Sequence, residues 1–448
     1  MGSNKENSLV KSLGLFDAIM IVIGMVIGSG IFFKPSIVLQ SAGSPLYATI
    51  AWIIGGGVAV AAGLTVAEIG AAIPKTGGLF VYLKELYGEK IGFLYGWVQS
   101  VIYIPGAMAA LGIVFATETT NFLPLTLVQQ RVLAIGIIVF FSLINSISTK
   151  VGSKIQGVAT VAKLLPLIAI VILGIFKGTV ANDAMVAAPA NGFQLVGFGG
   201  ALLGTLWAYD GWINVANIGG ELKNPKKDLP KAIIIGLSVT ILVYVLFNIA
   251  VMKLVPMDQL VLSEKPASDA VVKVIGLAGS KFISVGILIS ILGALNGFTI
   301  TGARIPYAMA KEGLAPFGSF FGKISDKYQT PVNASMFLTF VACLYVLSGS
   351  FNIITNMAMF VVWIFFMMAV AGIFILRTKF KHIERPYKVP LYPIVPIIGL
   401  LGGIYIISST LINNTKYALI GALITLLGLP IYYIFIKRNK ESFVLEEE

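Results

Sequence analysis

The chain alternates long apolar stretches with short polar segments along its whole length. An apolar helix of about 20 residues crosses the hydrocarbon core of a bilayer. Twelve such spans are predicted, over residues 15–37, 45–72, 91–118, 126–147, 152–177, 193–220, 230–254, 276–306, 331–349, 353–377, 391–412 and 416–436. The pattern therefore predicts an all-α polytopic membrane protein with 12 transmembrane helices.

Two of these spans, the first and the sixth, carry a break near their middle. Residues 23–32 contain three glycines and a serine, and residues 206–212 read Leu-Trp-Ala-Tyr-Asp-Gly-Trp. Unpaired backbone groups are costly in lipid, so such breaks are tolerated only where they line a cavity. A matching pair of broken spans in two halves of a chain indicates the substrate site of a transporter.

The spacing of the two breaks predicts the organisation of the chain. Five spans separate the start of one broken span from the start of the next, and an odd number of spans inverts the second unit in the membrane. We predict two inverted five-helix repeats, residues 15–177 and 193–377, followed by two added helices within residues 391–436. This 5+5 arrangement resembles the LeuT-type architecture. Residues 1–14 and 437–448 are predicted to be a cytoplasmic N-terminus and a cytoplasmic tail.

Composition agrees with this class. Only 12% of the residues are charged and 57% are hydrophobic, whereas soluble domains average about 25% charged residues. The net charge of +12 alone could indicate a nucleic-acid partner. However, when the N-terminus is placed in the cytoplasm, most of the 32 Lys and Arg residues fall in cytoplasmic loops and ends. Membrane proteins typically show this excess of cations on the cytoplasmic side. We therefore expect a multi-pass protein of the cell (plasma) membrane, with both termini cytoplasmic and no nucleic-acid partner.

The first break offers two kinds of backbone group. The half-helix that begins at Gly28, Ser29 and Gly30 presents unpaired N–H groups and a positive dipole end, which suit a carboxylate. The half-helix before the break ends in carbonyl groups, which suit an ammonium group. A zwitterion of amino-acid size satisfies both. One alternative is a helix-packing face, since Gly24 and Gly28 form a small-xxx-small pair. A phosphate-binding loop is less suitable, because no Gly-Lys-Ser/Thr motif follows.

The second break is rich in aromatic residues. Trp207, Tyr209 and Trp212 flank Gly211, and their rings can close over a bound molecule, while backbone carbonyl groups there can accept from its ammonium group. Asp210 has two interpretations. It can cap the half-helix that starts near Gly211, or it can attract a cationic group of the substrate.

Lys163 is the most informative single charge. It lies about a dozen residues into the fifth span, roughly 18 Å deep at 1.5 Å per residue. A lysine in the middle of a bilayer costs about 2.5–3.5 kcal/mol on insertion, so its side chain should point into the protein. Three roles stay open. It can be a permanent cation where other transporters bind sodium, a proton carrier, or a structural lysine bonded to helix-end carbonyl groups.

Other polar residues suggest gates rather than chemistry. Glu68 and Glu221 lie near predicted cytoplasmic span ends and can pair with loop cations as an inner gate. The loop at 72–91 predicts a short interfacial helix, and the loop at 255–275 can fold over an outward cavity; either can also be a passive connector. The sequence contains no metal-ligand cluster, catalytic triad or phosphate cradle, so we expect no metal, no cofactor and no enzymatic activity.

Several motifs resemble those of known transporters. Residues 28–32 (Gly-Ser-Gly-Ile-Phe) resemble the first-helix signature of the amino acid–polyamine–organocation (APC) transporters. Motifs similar to the L-amino acid transporter (LAT) branch lie at residues 74–78, 207–212, 220–225, 229–230, 302–313 and 385–390. Together they cover nearly the whole chain, and they are most similar to a bacterial alanine–serine–cysteine exchanger of that branch.

The resemblance implies the LeuT fold and a sodium-independent, alternating-access exchanger of small neutral L-amino acids such as Ala, Ser, Cys and Gly. It implies that Gly28, Ser29 and Gly30 bind the substrate carboxylate and that carbonyl groups near Ile27, Trp207 and Tyr209 bind the amino group. Trp207 matches the family's aromatic gating position. Lys163 matches a lysine found in sodium-independent relatives, near the place where sodium binds in others. The predicted substrate site comprises Ile27, Gly28, Ser29, Gly30, Trp207, Ala208, Tyr209 and Asp210.

The expected partners are an amino-acid substrate and membrane lipid. In animal members of the branch, a cysteine between the third and fourth spans bonds a heavy subunit, but residues 117–128 contain none. The single cysteine, Cys343, lies in an apolar run, so no disulfide-linked heavy subunit is expected. The alternative function is a proton-coupled or cationic amino-acid carrier, in which Asp210 binds a basic side chain and Lys163 carries the proton. An ion channel is a third class, for which the sequence offers no run of pore-lining charge.

Overall fold

The computed structural model describes residues 9, 11–188, 192–348, 351–413 and 415–437. Within these residues the chain is helical, and the one β-type pairing is an isolated bridge between Leu13 and Leu222. The predicted all-α class is confirmed. Most of the predicted terminal segments, 1–14 and 437–448, lies outside the described residues.

The described helices follow one another with short connections. The α-helices are α1 (Leu15–Val26), α2 (Gly30–Ala42), α3 (Pro45–Ala72), α4 (Leu79–Tyr87), α5 (Glu89–Val98), α6 (Ile104–Thr119), α7 (Leu127–Ile147), α8 (Thr149–Lys177), α9 (Asn182–Val186), α10 (Leu195–Ala208), α11 (Pro225–Leu254), α12 (Met257–Leu260), α13 (Pro266–Ile275), α14 (Leu277–Gly302), α15 (Arg304–Lys311), α16 (Gly318–Phe321), α17 (Val332–Ser348), α18 (Phe351–Lys379), α19 (Ile394–Asn413) and α20 (Thr415–Ile431). Two π-helical segments cover Gln99–Tyr103 and Tyr432–Lys437, and a 3-10 helix covers Trp212–Glu221.

The helices account for all twelve predicted spans. In the described part of the chain, nine helices are long and apolar enough to cross a bilayer, and the bent pair α1–α2 makes a tenth. The other two spans are α17, with 17 residues, and α10, whose 14 residues lead into the 3-10 helix. Exposed apolar side chains such as Leu127, Val158 and Phe176 are suited to lipid. The polytopic membrane architecture is confirmed.

Local sequence explains where the helices begin and end. The hydroxyl group of Ser44 accepts from the N–H group of Tyr47 at 3.3 Å, and Pro45 starts α3 without an N–H group to satisfy. The first span was predicted to end at residue 37 but continues to residue 42. It ends there because Gly43 takes a left-handed conformation, with φ of 73°.

Small residues let the central helices pack closely. A side chain added at Gly63 of α3 would lie 2.8 Å from Leu237 of α11, and one added at Gly56 would lie 2.6 Å from Ile241. A Cβ atom at either position would force the neighbouring side chain of α11 to shift. The glycines of α3 therefore determine how near α11 can approach.

The two broken spans run antiparallel and in contact. The first half of one packs on the second half of the other: α1 contacts the 3-10 helix, and α2 contacts α10. The second span packs on the seventh (α3 on α11), and the third packs on the eighth (α6 on α14). An inverted repeat needs such pairing of equivalent helices, and the repeat boundaries, 15–177 and 193–377, stay predictions.

Both long connections are folded. Residues 72–91 contain the short helix α4, which packs against α5 and α18 with Phe80 and Tyr82 buried. Its interfacial position stays a prediction. Residues 255–275 contain α12 and α13, and both contact α2. This connection therefore lies against the second half of the first broken span.

Candidate functional site

The first break separates α1 from α2 by three residues and bends their axes by 47°. Ile27 leaves helical geometry with φ of −75° and ψ of 84°. The first N–H groups of α2 have no partner inside their own helix, and the side chain of Ser29 does not cap them. The N–H group of Gly28 already donates to the carbonyl oxygen of Val26 at 2.8 Å. The start of α2 therefore presents backbone donors at Ser29 and Gly30, together with a positive dipole end.

The second break is built around Gly211, which has a φ of 111°. A side chain there would be strained, and its Cβ atom would lie 3.1 Å from the carbonyl oxygen of Met25. Glycine thus allows the second break to touch the end of α1. The segment after Gly211 is a 3-10 helix over Trp212–Glu221, where the sequence predicted an ordinary half-helix.

A cavity lies between the two breaks. Its volume is about 120 Å³, well above what a single water molecule needs. Polar groups come from Ser29, Tyr103 and Asp210, and much of the remaining wall is small or apolar. The lining residues are Met25, Val26, Gly28, Ser29, Gly30, Tyr103, Gly106, Ala107, Ala110, Leu111, Val114, Trp207, Ala208, Asp210, Ala294, Phe298 and Ala358.

The structure brings six of the eight predicted substrate residues to this cavity. They are Gly28, Ser29, Gly30, Trp207, Ala208 and Asp210. The two others lie behind the wall. Tyr209 packs edge-on against Trp52, with ring centroids 5.9 Å apart, and donates to the carbonyl oxygen of Trp52 at 3.1 Å.

The carbonyl group of Ile27 already has two donors in this conformation. The ammonium group of Lys163 donates to it at 2.6 Å, and the hydroxyl group of Ser290 donates to it at 3.0 Å. A carbonyl oxygen has two lone pairs. It therefore offers nothing further to a substrate amino group while these bonds are made.

Lys163 is fully buried and is held by main-chain oxygens. Its ammonium group donates to Gly24 at 2.7 Å, to Ile27 at 2.6 Å and to Ser290 at 3.1 Å. Among the described residues, no carboxylate lies within 4.0 Å of it. The side chain points into the protein and joins α8 to the end of α1 and to α14. This geometry suits both the coupling-ion surrogate and the structural lysine.

A tyrosine that the sequence did not single out links the two breaks. The hydroxyl group of Tyr244, on α11, lies 2.8 Å from the carbonyl oxygen of Val26 and 3.2 Å from that of Ala208. One group thus contacts the last carbonyl of each half-helix. Its position in an otherwise unremarkable apolar span gave no signal in the sequence.

Asp210 has one firm partner and one free oxygen. The hydroxyl group of Tyr103 donates to Oδ2 at 2.8 Å, while Oδ1 is shielded from solvent and has no partner among the residues described. Tyr103 ends a π-helical segment, a feature that is frequent at functional sites. Pro105, two residues later, was the available sequence signal for this irregularity.

The end of the bundle near Leu13 is closed by buried ion pairs. Glu221 binds Arg304 through two hydrogen bonds of 2.6 and 3.0 Å, and Arg304 is only 1% exposed. Arg304 is the first residue of α15 and also donates to the side chain of Thr149. Glu68 pairs with Arg377 at 2.7 Å. Both predicted gate carboxylates are paired with cations.

The polar groups that line the cavity are suited to binding a small molecule. Within the described ranges, no group of three His, Cys, Asp or Glu side chains is placed to hold a metal ion. The polar groups that line the cavity are backbone groups, a serine, a tyrosine and one carboxylate.

Comparison with known proteins agrees with the motifs. The amino acid permease family matches residues 13–436. The chain is 40% identical to the serine/threonine exchanger SteT of Bacillus subtilis over 97% of this chain and 99% of that protein. It is 32% identical to mouse b(0,+)-type amino acid transporter 1 over 96% of this chain and 89% of that protein. It is also 30% identical to mouse Asc-type amino acid transporter 1 over 96% and 82%, respectively.

These matches extend over nearly the whole chain and include both breaks, the cavity and Lys163. The relatives are transporters, not enzymes. The chain therefore belongs to the amino acid permease family of the APC superfamily and is a multi-pass membrane protein that transports amino acids.

Proposed function

We propose that this protein exchanges small neutral L-amino acids, of the Ala, Ser, Cys and Gly type, across the plasma membrane without sodium. The observation that carries the proposal is the cavity between the two breaks. Gly28 and the backbone N–H groups of Ser29 and Gly30 lie on one side and Asp210 lies on the other. A zwitterion can bridge these two sides with its carboxylate and its ammonium group.

The apolar part of the wall supports small substrates. Ala107, Ala110, Ala294 and Ala358 contribute single methyl groups, and Phe298 adds an aromatic surface. A short side chain can pack there without a polar partner. The bacterial relative is a serine/threonine exchanger, which supports small substrates and exchange rather than net uptake.

Sodium independence follows from the role that we assign to Lys163. Transporters of this architecture can bind sodium through unwound backbone carbonyl groups. Here the ammonium group of Lys163 already occupies the carbonyl oxygens of Gly24, Ile27 and Ser290. We assign it as a built-in cation that takes the place of a coupling ion.

Alternating access requires that one end of the cavity be closed while the other is open. The Glu221–Arg304 pair and the Glu68–Arg377 pair act as the cytoplasmic gate in this proposal, with both chain termini in the cytoplasm. Trp207 borders the cavity and closes it from the opposite side. We propose that α1, α2, α10 and the 3-10 helix rock against the other helices to exchange these states.

We further propose that the protein works without a disulfide-linked heavy subunit. One relative is named as a small subunit of a large neutral amino acids transporter. The only cysteine of this chain, Cys343, lies on α17, in the apolar part of the bundle. It is unsuited to an external disulfide.

Purified protein in proteoliposomes tests the proposal. Vesicles are loaded with one unlabelled amino acid at a time, and uptake of labelled alanine or serine is measured in sodium and in choline buffers. We expect uptake only with internal Ala, Ser, Cys or Gly, at equal rates in both buffers. Uptake into empty vesicles, or a requirement for sodium, would contradict it.

A second candidate is a proton-coupled or cationic amino-acid carrier. The free Oδ1 of Asp210 favours it, because a carboxylate that lines the cavity can bind a basic side chain. Labelled lysine uptake into empty vesicles, driven by an inward proton gradient, would support this candidate. Saturable alanine exchange without lysine uptake would exclude it.

A further inference from the structure

The indole ring of Trp207 lies along one face of α2. Gly30 and Lys34 are four residues apart, so they lie on the same side of this helix. A side chain added at Gly30 would lie 3.1 Å from Cζ3 of Trp207, and the ammonium group of Lys34 lies 4.6 Å from the ring centroid. Gly30 therefore gives the ring space, and Lys34 places a cation against its face.

The Trp207 ring is the main partner of Lys34. In the described ranges, no carboxylate lies within 4.0 Å of its ammonium group, and the indole ring is the one partner that the structure gives it. A tryptophan face attracts a cation through its quadrupole, most strongly where water is partly excluded. The cation–π contact therefore fixes the positions of both the Lys34 ammonium group and the Trp207 ring.

We propose that Lys34 is a specificity-determining residue that keeps Trp207 over the cavity and rejects substrates with a net positive charge. The proposal rests on the exchange function proposed above and deepens it. It assigns a role to the charge of Lys34, which the proposed function does not use.

The charge argument depends on the net charge of the substrate. A neutral amino acid carries one positive and one negative group, so the field of Lys34 has little net effect on it. A basic amino acid carries one extra positive charge, and like charges repel strongly where little water screens them. Asp210 acts in the opposite direction on such a substrate. The balance between Lys34 and Asp210 then sets the preference for neutral over basic amino acids.

The test compares three variants of the full-length protein in proteoliposomes. Lys34→Met removes the charge and keeps most of the length, Lys34→Arg keeps both the charge and the contact with the ring, and Lys281→Met removes an exposed cation of α14. Competition of lysine and of serine against labelled alanine gives the selectivity. For Lys34→Met we expect lysine to compete about tenfold better relative to serine. Lys34→Arg and Lys281→Met should behave as the unchanged protein does.

A double-mutant cycle tests the route through the ring. Trp207→Leu and Lys34→Met are measured alone and together for the KM of alanine. If Lys34 acts by holding the indole, the double variant should resemble Trp207→Leu alone, because the effects of contacting residues do not add. Additive effects on KM would overturn the positioning role.

The outcomes separate the two proposals. If the unchanged protein does not exchange alanine, the proposed function itself is refuted. Alanine exchange that persists in Lys34→Met with unchanged selectivity against lysine would refute the role of Lys34 alone. If Lys34→Met is not recovered in folded form, equal selectivity in Lys34→Gln and Lys34→Arg would refute it in the same way.

Discussion

The ammonium group of Lys163 donates a hydrogen bond of 2.6 Å to the carbonyl oxygen of Ile27. Ile27 is the residue at which the first broken helix leaves helical geometry. The charge on α8 is therefore bonded to the point where the substrate site begins. When α1 moves relative to α8, this bond must break, or the side chain of Lys163 must move with Ile27.

Replacement of Lys163 should slow the movement more than it weakens binding. Lys163→Ala removes one donor from each of three buried carbonyl groups, of which, among the described residues, only that of Ile27 keeps a second side-chain donor, the hydroxyl group of Ser290. A buried acceptor left unsatisfied costs about 1–3 kcal/mol. The groups that line the cavity are unchanged. We expect the exchange rate for alanine to fall by at least about tenfold, with a smaller change in the affinity measured by ligand-induced thermal stabilisation.

The matched control is Lys154→Ala, which removes an exposed lysine from the same helix. It should exchange alanine at the normal rate. A normal turnover in Lys163→Ala would show that the lysine is merely structural or dispensable.

Gly30 should tolerate no side chain. An alanine there would place its Cβ atom 3.1 Å from Trp207 and 3.3 Å from the backbone of Ala208, and overpacking of this kind costs about 1–3 kcal/mol. Because one of the two contacts is backbone, the second break itself must shift. We expect Gly30→Ala to lose most alanine exchange. Gly57→Ala, where nothing lies within 4 Å, should retain it, and equal activity of the two variants would refute this prediction.

The features that the sequence predicted well are those that depend on position along one helix. The two breaks follow from glycines in apolar spans, and the burial of Lys163 follows from its depth in the bilayer. Tyr103 and Tyr244 were missed because their relevance comes from other helices. Each contacts residues more than 30 positions away in the chain, and no local pattern encodes that contact.

Other partners also come from distant parts of the chain. Arg304 follows a long apolar span, and its guanidinium group is buried because Glu221 and Thr149 approach it from other segments. Ile27 and Tyr209 were predicted at the substrate because they lie at the breaks, and their contacts with a substrate stay predictions. In this conformation the carbonyl oxygen of Ile27 accepts from Lys163, and the hydroxyl group of Tyr209 donates to the carbonyl oxygen of Trp52. Position along the chain located the site, while tertiary contacts decided which groups face it.

Tyr103 should be needed for tight substrate binding. Tyr103→Phe removes the donor to Oδ2 of Asp210, and a hydrogen bond to a charged group contributes about 1.5–3 kcal/mol. The carboxylate would then lose its fixed orientation. We expect the KM for alanine to rise by about tenfold, with an unchanged amount of folded protein.

The control for Tyr103 is Tyr345→Phe, which also removes a hydroxyl group that contacts the third span, at the carbonyl oxygen of Val101. Tyr345 does not line the cavity. Its replacement should leave the KM for alanine as it is. A similar rise in both variants would point to a general loss of packing and not to Asp210.

The Glu221–Arg304 pair should stabilise the conformation seen here far more than an exposed pair does. Both side chains are only 2% exposed, and removal of one partner from a buried pair costs about 3–5 kcal/mol because a charge is left unpaired. Glu221→Ala should therefore lower the thermal unfolding temperature in detergent by several degrees. Lys226→Ala, which removes half of an exposed pair with Glu384, should change this temperature little.

The Glu221–Arg304 pair is also proposed as a gate, which cysteine labelling tests. In folded Glu221→Ala protein, a cysteine introduced on the Leu13 side of the cavity should be labelled faster than in the unchanged protein, both in a background without Cys343. A lower unfolding temperature without faster labelling would show that Glu221 is a structural residue and refute its role as a gate.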